Sequence, residues 1–215
     1  ILPFEERWYA ERGHQVFYVG NPLSEKYESR SAYEPDSKKV LLLPGSRAQE
    51  VSRLLPIFYA LATDRPEYTF IVVRAPGAVA FWPQIDAPEN VEIADAPISA
   101  VARGVRFASA SSGTASLAIA PLRITQAAIC RANPLSLAIA RSLVRVPYFS
   151  LPNLILNKEA VPELLQNEVN AEALSKMLDG DHRQQITDCK LLIECMGEQK
   201  LEHAAVSRMV KLIET

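Results

Sequence analysis

Two short stretches of this chain carry the residue types that hold phosphate. In VLLLPGSRAQEV, Val40 to Val51, an uncharged apolar run meets Gly45-Ser46, and Arg47 and Glu50 follow. In SSGTASL, Ser111 to Leu117, the residues Ser112, Gly113 and Thr114 sit between a strand-like and a helix-like run. Glycine lets a ligand approach the main chain, hydroxyls and main-chain N–H groups donate to anionic oxygens, and the Arg47 guanidinium adds a planar donor fork. The chemistry this pattern suits is binding of an anion, phosphate above all. Each turn alone also fits an ordinary strand-to-helix connection, with Ser46 as N-cap and Arg47 a solvated charge, or with Ser112 to Thr114 a plain helix cap. Two such turns on one sheet read as a nucleotide site.

The elements around the turns must place them. Val40 to Pro44 reads as a buried strand, and Val51, Leu54, Leu55, Phe58 and Ala62 recur at helical spacing, so Arg47 to Thr63 is expected as an amphipathic helix packed on a sheet. Further strands are expected at Thr69 to Arg74, Asn90 to Ile93, Val105 to Ala110 and Ile124 to Cys130. Short helices are expected at Gly77 to Ile85, at Ile98 to Ala102, after SSGTASL and at Pro134 to Leu143, where proline occupies the first turn. Strands alternating with helices imply an α/β fold with a parallel sheet covered on both faces, and such sheets bind ligands at the carboxyl ends of their strands.

The flanks are less regular. Residues 4 to 12 fit a short helix stopped by Gly13, Gln15 to Val19 fits a strand, and Leu23 to Lys39 has a linker's polar composition. Pro147 to Asn157, with two prolines, reads as an ordered loop, and Pro162 to Gln166 as one helical turn. Helices at Asn170 to Leu178, Asp181 to Met196 and Leu201 to Ile213 are expected to close the chain.

Composition narrows the function classes. With 215 residues, 48% hydrophobic and 22% charged, the chain suits one large soluble domain or one domain with part of another. Lys+Arg 23 against Asp+Glu 25 leaves a net charge of -2, which gives no argument for a nucleic-acid partner. Cys130, Cys189 and Cys195 lack metal-ligand spacing and read as reduced thiols, and His14, His182 and His203 read as surface residues. Phe107 to Leu122, the longest uncharged run, is too short and too rich in Ser and Thr to span a bilayer. ILPFEERWYAERG has neither a signal-peptide pattern nor an initiator methionine, so a piece lacking its upstream part is expected.

Beyond spacing, the residues carry a resemblance. ILPFE at Ile1 to Glu5, VGNPL at Val19 to Leu23, LLPGSRAQEVSRLLP at Leu42 to Pro56, SSGTASL, NPLSLAIARSLVRVPYFSLPNLIL at Asn133 to Leu156 and VPELLQ at Val161 to Gln166 stand in the order and separation found in lipid-A-disaccharide synthases. The chain resembles the carboxyl-terminal part of that family of GT-B glycosyltransferases. The resemblance implies residues 1–23 as the end of an amino-terminal acceptor domain, 24–38 as linker, 39–180 as a Rossmann-like UDP-sugar donor-binding domain and 181–215 as C-terminal helices.

It also implies a reaction and its residues. Family enzymes transfer 2,3-diacylglucosamine from its UDP-linked donor to 2,3-diacylglucosamine 1-phosphate with inversion, without a metal or other cofactor, as peripheral proteins at the cytoplasmic face of the bacterial inner membrane. A homodimer is compatible with this. Gly45, Ser46, Arg47 and Glu50 would form the pyrophosphate-side turn, Arg47 stabilising the leaving diphosphate. Ser112, Gly113 and Thr114 would contact diphosphate or sugar, and Asn153 and Gln166 would line the donor site or its hinge. The general base would be an aspartate upstream of this chain, which alone is expected to be inactive. Departures from the family pattern are Ala118 in place of a glutamate that holds ribose hydroxyls, Cys130 in place of tyrosine, Thr125-Gln126 in place of Pro-Met, Arg106 in place of aspartate and Asn21 in place of histidine. A methyl group accepts no hydrogen bond, so Ala118 implies a weaker donor or a non-catalytic UDP-sugar-binding relative.

Overall fold

The apolar runs pair into a six-stranded sheet in the computed structural model, which describes residues 2–21, 33–111, 113–133 and 147–197, with 206, 209 and 210. Its strands are β1 (Lys39–Leu43), β2 (Thr69–Val73), β3 (Val91–Ala94), β4 (Val105–Ser111), β5 (Thr125–Cys130) and β6 (Glu163–Leu165). All neighbours are parallel, in the order β3-β2-β1-β4-β5-β6. The described α-helices of at least four residues are α1 (Glu5–Ala10), α2 (Ala48–Asp64), α3 (Ile98–Val101), α4 (Thr114–Ile119), α5 (Leu151–Leu156), α6 (Ala171–Leu178) and α7 (Arg183–Met196).

Alternation along β1 explains why the sheet is covered on both faces. Val40 and Leu42 face a cluster built from Val51, Leu55 and Phe58 of α2 and Leu174 and Leu178 of α6. Leu41 and Leu43 face the opposite cluster, with Ile119 of α4 and Ala102 behind α3. A strand buried on both faces has no position for a charge, which accounts for the uncharged run in the sequence. The chain winds outward in one direction through β2 and β3 and in the other through β4, β5 and β6. The switch point between β1 and β4 therefore carries both glycine turns at its carboxyl edge.

Three local readings are corrected. Residues 147–157 are not all loop: Leu151–Leu156 is helical, because Pro152 lies in the first turn, where a missing N–H costs nothing. Pro162 to Gln166 is not a helical turn: Glu163–Leu165 extends and pairs with Ala128 to Cys130 as β6. Gln15 to Val19 joins no strand. It is held through Tyr18, whose N–H donates to Glu6 Oε1 and whose hydroxyl donates to the Met196 carbonyl over 2.8 Å. Gly77 to Ile85 shortens to a 3-10 helix at Pro76–Phe81. The helix expected at Pro134 to Leu143 and most of the linker lie outside the described residues, as does the helix expected at Leu201 to Ile213 except Val206, Met209 and Val210, which are helical.

α7 is tied to the sheet by polar contacts that its apolar pattern does not show. β6 covers only the second half of β5, and Gln185 completes the edge: its Nε2 donates to the Gln126 carbonyl over 2.8 Å, and the Gln126 N–H donates to its Oε1. Gln126 in turn donates from Nε2 to the Ser116 carbonyl over 2.9 Å, so the polar residue buried in β5 is satisfied from α4 and α7 together. Lys158 reaches the buried Asp188 of α7 over 2.6 Å.

His182 departs from its expected surface role. It is half-buried, stacks on Phe107 at 5.4 Å and, among the described residues, has no hydrogen-bond partner for its buried Nε2. Burial, aided by the nearby Arg106 charge, lowers its pKa, while the Met177 main chain and Asp181 pull the other way. Cys189 is buried, and desolvation pushes its thiol up to about 12, so it is inert core.

Candidate functional site at the carboxyl edge of the sheet

The turn after β1 is shaped by a glycine that no other residue could replace without displacement. Gly45 has φ +99°, and a Cβ there would stand 2.2 Å from Glu50 Oε2 and 2.9 Å from Ser111 Oγ. The main chain passes tightly over a carboxylate on one side and the end of β4 on the other. Arg47, in extended conformation (φ -110°, ψ 143°), is the N-cap of α2, which displaces Ser46 from the role the sequence suggested.

Glu50, three residues into α2, turns back onto this start. Its Oε2 accepts from the N–H groups of Ser46 and Arg47 at 3.2 and 3.3 Å, and its Oε1 accepts from Arg47 Nη1 at 2.8 Å. Two of the turn's amides are thus engaged by the protein's own carboxylate, as in the Glu half of a capping box. Among the described residues the Arg47 side chain is held by this contact alone, and 79% of it is exposed.

The turn after β4 is built differently. Gly113 has φ +101° with nothing near a hypothetical Cβ, so glycine is required there by backbone conformation rather than by space. Thr114 opens α4 with no side chain capping it. Ser112 lies outside the described residues.

One cavity of about 780 Å³ spans both turns. Gly45, Ser46, Arg47 and Glu50 form its wall on the β1 side, and Ser111, Thr114, Ala115 and Ala118 its wall on the β4 side. From Val73 to Val79 and Asp95 to Ile98 it continues over the ends of β2 and β3 with an apolar lining. The rim there carries Arg74 and Asp95, paired Nε to Oδ1 at 2.6 Å and again through Nη2 and Oδ2. That pairing holds the Asp95 carboxyl below, and the Arg74 guanidinium above, their ordinary values. Sequence reasoning passed over this pair because its members stand twenty-one positions apart; the only signal was a charge ending each of two adjacent strands. Among the described residues, no group of three His, Cys, Asp or Glu side chains could hold a metal ion.

Comparison with known proteins agrees with this architecture. A lipid-A-disaccharide synthetase family description matches residues 1–207. The chain belongs to the lipid-A-disaccharide synthetase family. It is 32% identical to the lipid-A-disaccharide synthase of Granulibacter bethesdensis, over 83% of this chain and 50% of that protein, and 34% identical to that of Psychromonas ingrahamii, over 96% and 61%. The chain thus spans about half the length of the first of these curated relatives. A solved spinosyn rhamnosyltransferase in complex with thymidine diphosphate superposes with a TM-score of 0.53 at 16% identity, covering 92% of this chain and 50% of that one. That likeness, with the sheet order, shows the fold: a Rossmann-like half of the GT-B type.

Two residues that the family resemblance assigns to the donor site or its hinge do not line this cavity. Asn153 is fully buried and uses every polar atom on the protein: Nδ2 donates to the Val161 carbonyl and Glu163 Oε1 at 2.7 and 2.8 Å, and Oδ1 accepts from the N–H groups of Ala160 and Val161, both at 2.8 Å. Gln166, with φ +56°, pairs both ways with the Ala132 main chain at 2.8 and 3.1 Å. Neither lines the cavity. Their common neighbourhood exposes a residue the sequence did not single out. Glu163 accepts from the N–H groups of Phe149 and Ser150 at 3.0 and 2.9 Å and from the Ser150 hydroxyl at 2.7 Å, capping the start of α5. The family departures at Arg106 and Thr125 also have structural partners: Arg106 donates to the Leu178 and Pro35 carbonyls and Thr125 to the Arg106 carbonyl.

Proposed function

We propose that this chain is the donor-binding half of a lipid-A-disaccharide synthase, holding UDP-2,3-diacylglucosamine so that its sugar is transferred to 2,3-diacylglucosamine 1-phosphate, with release of UDP. The observation that carries the reading is the convergence of two glycine turns, from the adjacent strands β1 and β4, on one cavity with an exposed arginine at its edge. As the sugar leaves, negative charge grows on the β-phosphate oxygen. Arg47 and the positive start of α2 stabilise that charge more strongly in the transition state than in the ground state, which is what accelerates departure. Gly45 and Gly113 bring main chain close to the diphosphate, and Thr114 offers a hydroxyl. The base that takes the acceptor hydroxyl's proton is placed outside this chain, and the fragment alone is expected to be inactive. Association with the inner face of the bacterial inner membrane is peripheral in this reading; no described helix is long and apolar enough to cross a membrane.

Calorimetric titration with UDP tests the reading. Saturable heat with a micromolar dissociation constant is expected, and no heat at millimolar UDP would overturn it. Ala118 favours a second reading, a UDP-sugar-binding relative with weakened catalysis, because its methyl faces the cavity where the family pattern has a carboxylate. In the full-length protein, Ala118→Glu is expected to raise UDP affinity about tenfold, the worth of one hydrogen bond to a charged group. Strong transferase activity without the change would rule the second reading out.

A further inference from the structure

Resting on the donor-site reading, we propose that Glu50 is a stand-in ligand that the donor's diphosphate must displace. Its carboxylate already holds the donors an incoming diphosphate needs: the Ser46 and Arg47 N–H groups and the Arg47 guanidinium. It lies against Gly45 and lines the cavity that both turns share. Two anions cannot share those donors at hydrogen-bond distance. The geometry also shows which of them yields: the amide contacts, at 3.2 and 3.3 Å, are at the long end of the hydrogen-bond range, and the Glu50 side chain is 28% exposed, with room to swing toward solvent. Displacement frees Arg47 for the diphosphate, and return of the carboxylate helps expel UDP after transfer, a step that limits many well-evolved enzymes. Glu50 is thus a positioning residue that sets how tightly nucleotide is held.

Glu50→Gln keeps the side chain's length and an acceptor oxygen but removes its charge. A self-ligand occupying its site nine-tenths of the time weakens apparent affinity about tenfold, so the variant is expected to bind UDP roughly tenfold tighter by calorimetry, with an almost unchanged melting temperature. UDP bound by the native chain and no tighter by the folded variant overturns this inference alone. UDP bound by neither overturns the donor-site reading and this inference with it. If the variant does not fold, the Glu50 carboxyl carbon resonance of the native chain decides. It is expected to move on UDP saturation together with the Ser46 and Arg47 amides, and amides that shift beside an unmoved carboxyl overturn the proposal.

Discussion

The starts of α5 and α2 are both capped by a glutamate, and the two are held in opposite ways. At α5, Glu163 accepts from Phe149, Ser150 and Asn153 within 3.0 Å, and the whole group sits around a fully buried asparagine. At α2, Glu50 reaches two amides beyond 3.1 Å and pairs with an arginine that is mostly in solvent. The same electrostatic device, a carboxylate at the positive end of a helix, serves as a fixed joint in one place and as a replaceable contact in the other. Both carboxylates are half-buried, so the difference lies in the number and length of their hydrogen bonds and in the exposure of the arginine. A carboxylate with four donors within 3.0 Å has no better partner to exchange for, whereas one with long amide bonds and a solvent-exposed partner yields to a stronger anion.

The largest effect that would break this contrast is on stability. Asn153→Ala strands two N–H groups, a carbonyl and part of the Glu163 carboxylate, and is expected to destabilise by about 3–5 kcal/mol, lowering the melting temperature by roughly 10 °C. An unchanged melting temperature would mean that the α5 joint is not rigid. Next comes Arg47→Ala. Exposed ion pairs contribute little to folding, so thermal stability should hold, while UDP affinity falls about 10- to 100-fold through loss of a charged hydrogen bond. A fall in stability without a change in affinity would make α2 a fixed joint like α5.

Gly45→Ala should come third, lowering stability by about 1–2 kcal/mol because a non-glycine residue at φ +99° is strained and its methyl meets Glu50. Chemical denaturation would read the loss, and wild-type stability would show that the turn is looser than its contacts. The smallest effect is at the opposite edge of the sheet. Burial against Phe107 lowers the His182 pKa, so the unfolded chain takes up a proton that the folded chain resists. Its contribution is therefore present above the unfolded value near 6.5 and is lost as pH falls below it. Melting temperatures between pH 7 and pH 5.5 should drop less steeply for His182→Gln than for the native chain, and identical slopes would contradict this.

The sheet was legible in the sequence where burial on both faces forbids charge. Val40 to Leu43, Thr69 to Val73 and Thr125 to Cys130 announce themselves in that way. Shorter elements were not: three residues of β6 carry no period, and the prolines of SLPNL suggested a loop although Pro152 sits at a position where helices accept it. The site was half legible. Glycine turns are contiguous in sequence and could be read directly, whereas the partners that decide their chemistry are joined only by the fold. Arg74 meets Asp95 across two strands, and Glu163 caps a helix that begins twelve residues before it. Asn153 and Gln166 could be singled out as polar residues in apolar surroundings. Whether such a residue faces a ligand or its own backbone depends on neighbours that the sequence does not place beside it.

Mapping main-chain amide shifts during a UDP titration tests the central claim most directly. The largest shifts are expected at Ser46, Arg47, Thr114 and Ala115, around the cavity shared by β1 and β4, with Asn153, Val161 and Gln166 nearly unmoved. Shifts concentrated at Asn153 and Gln166, or none at millimolar UDP, would contradict the account.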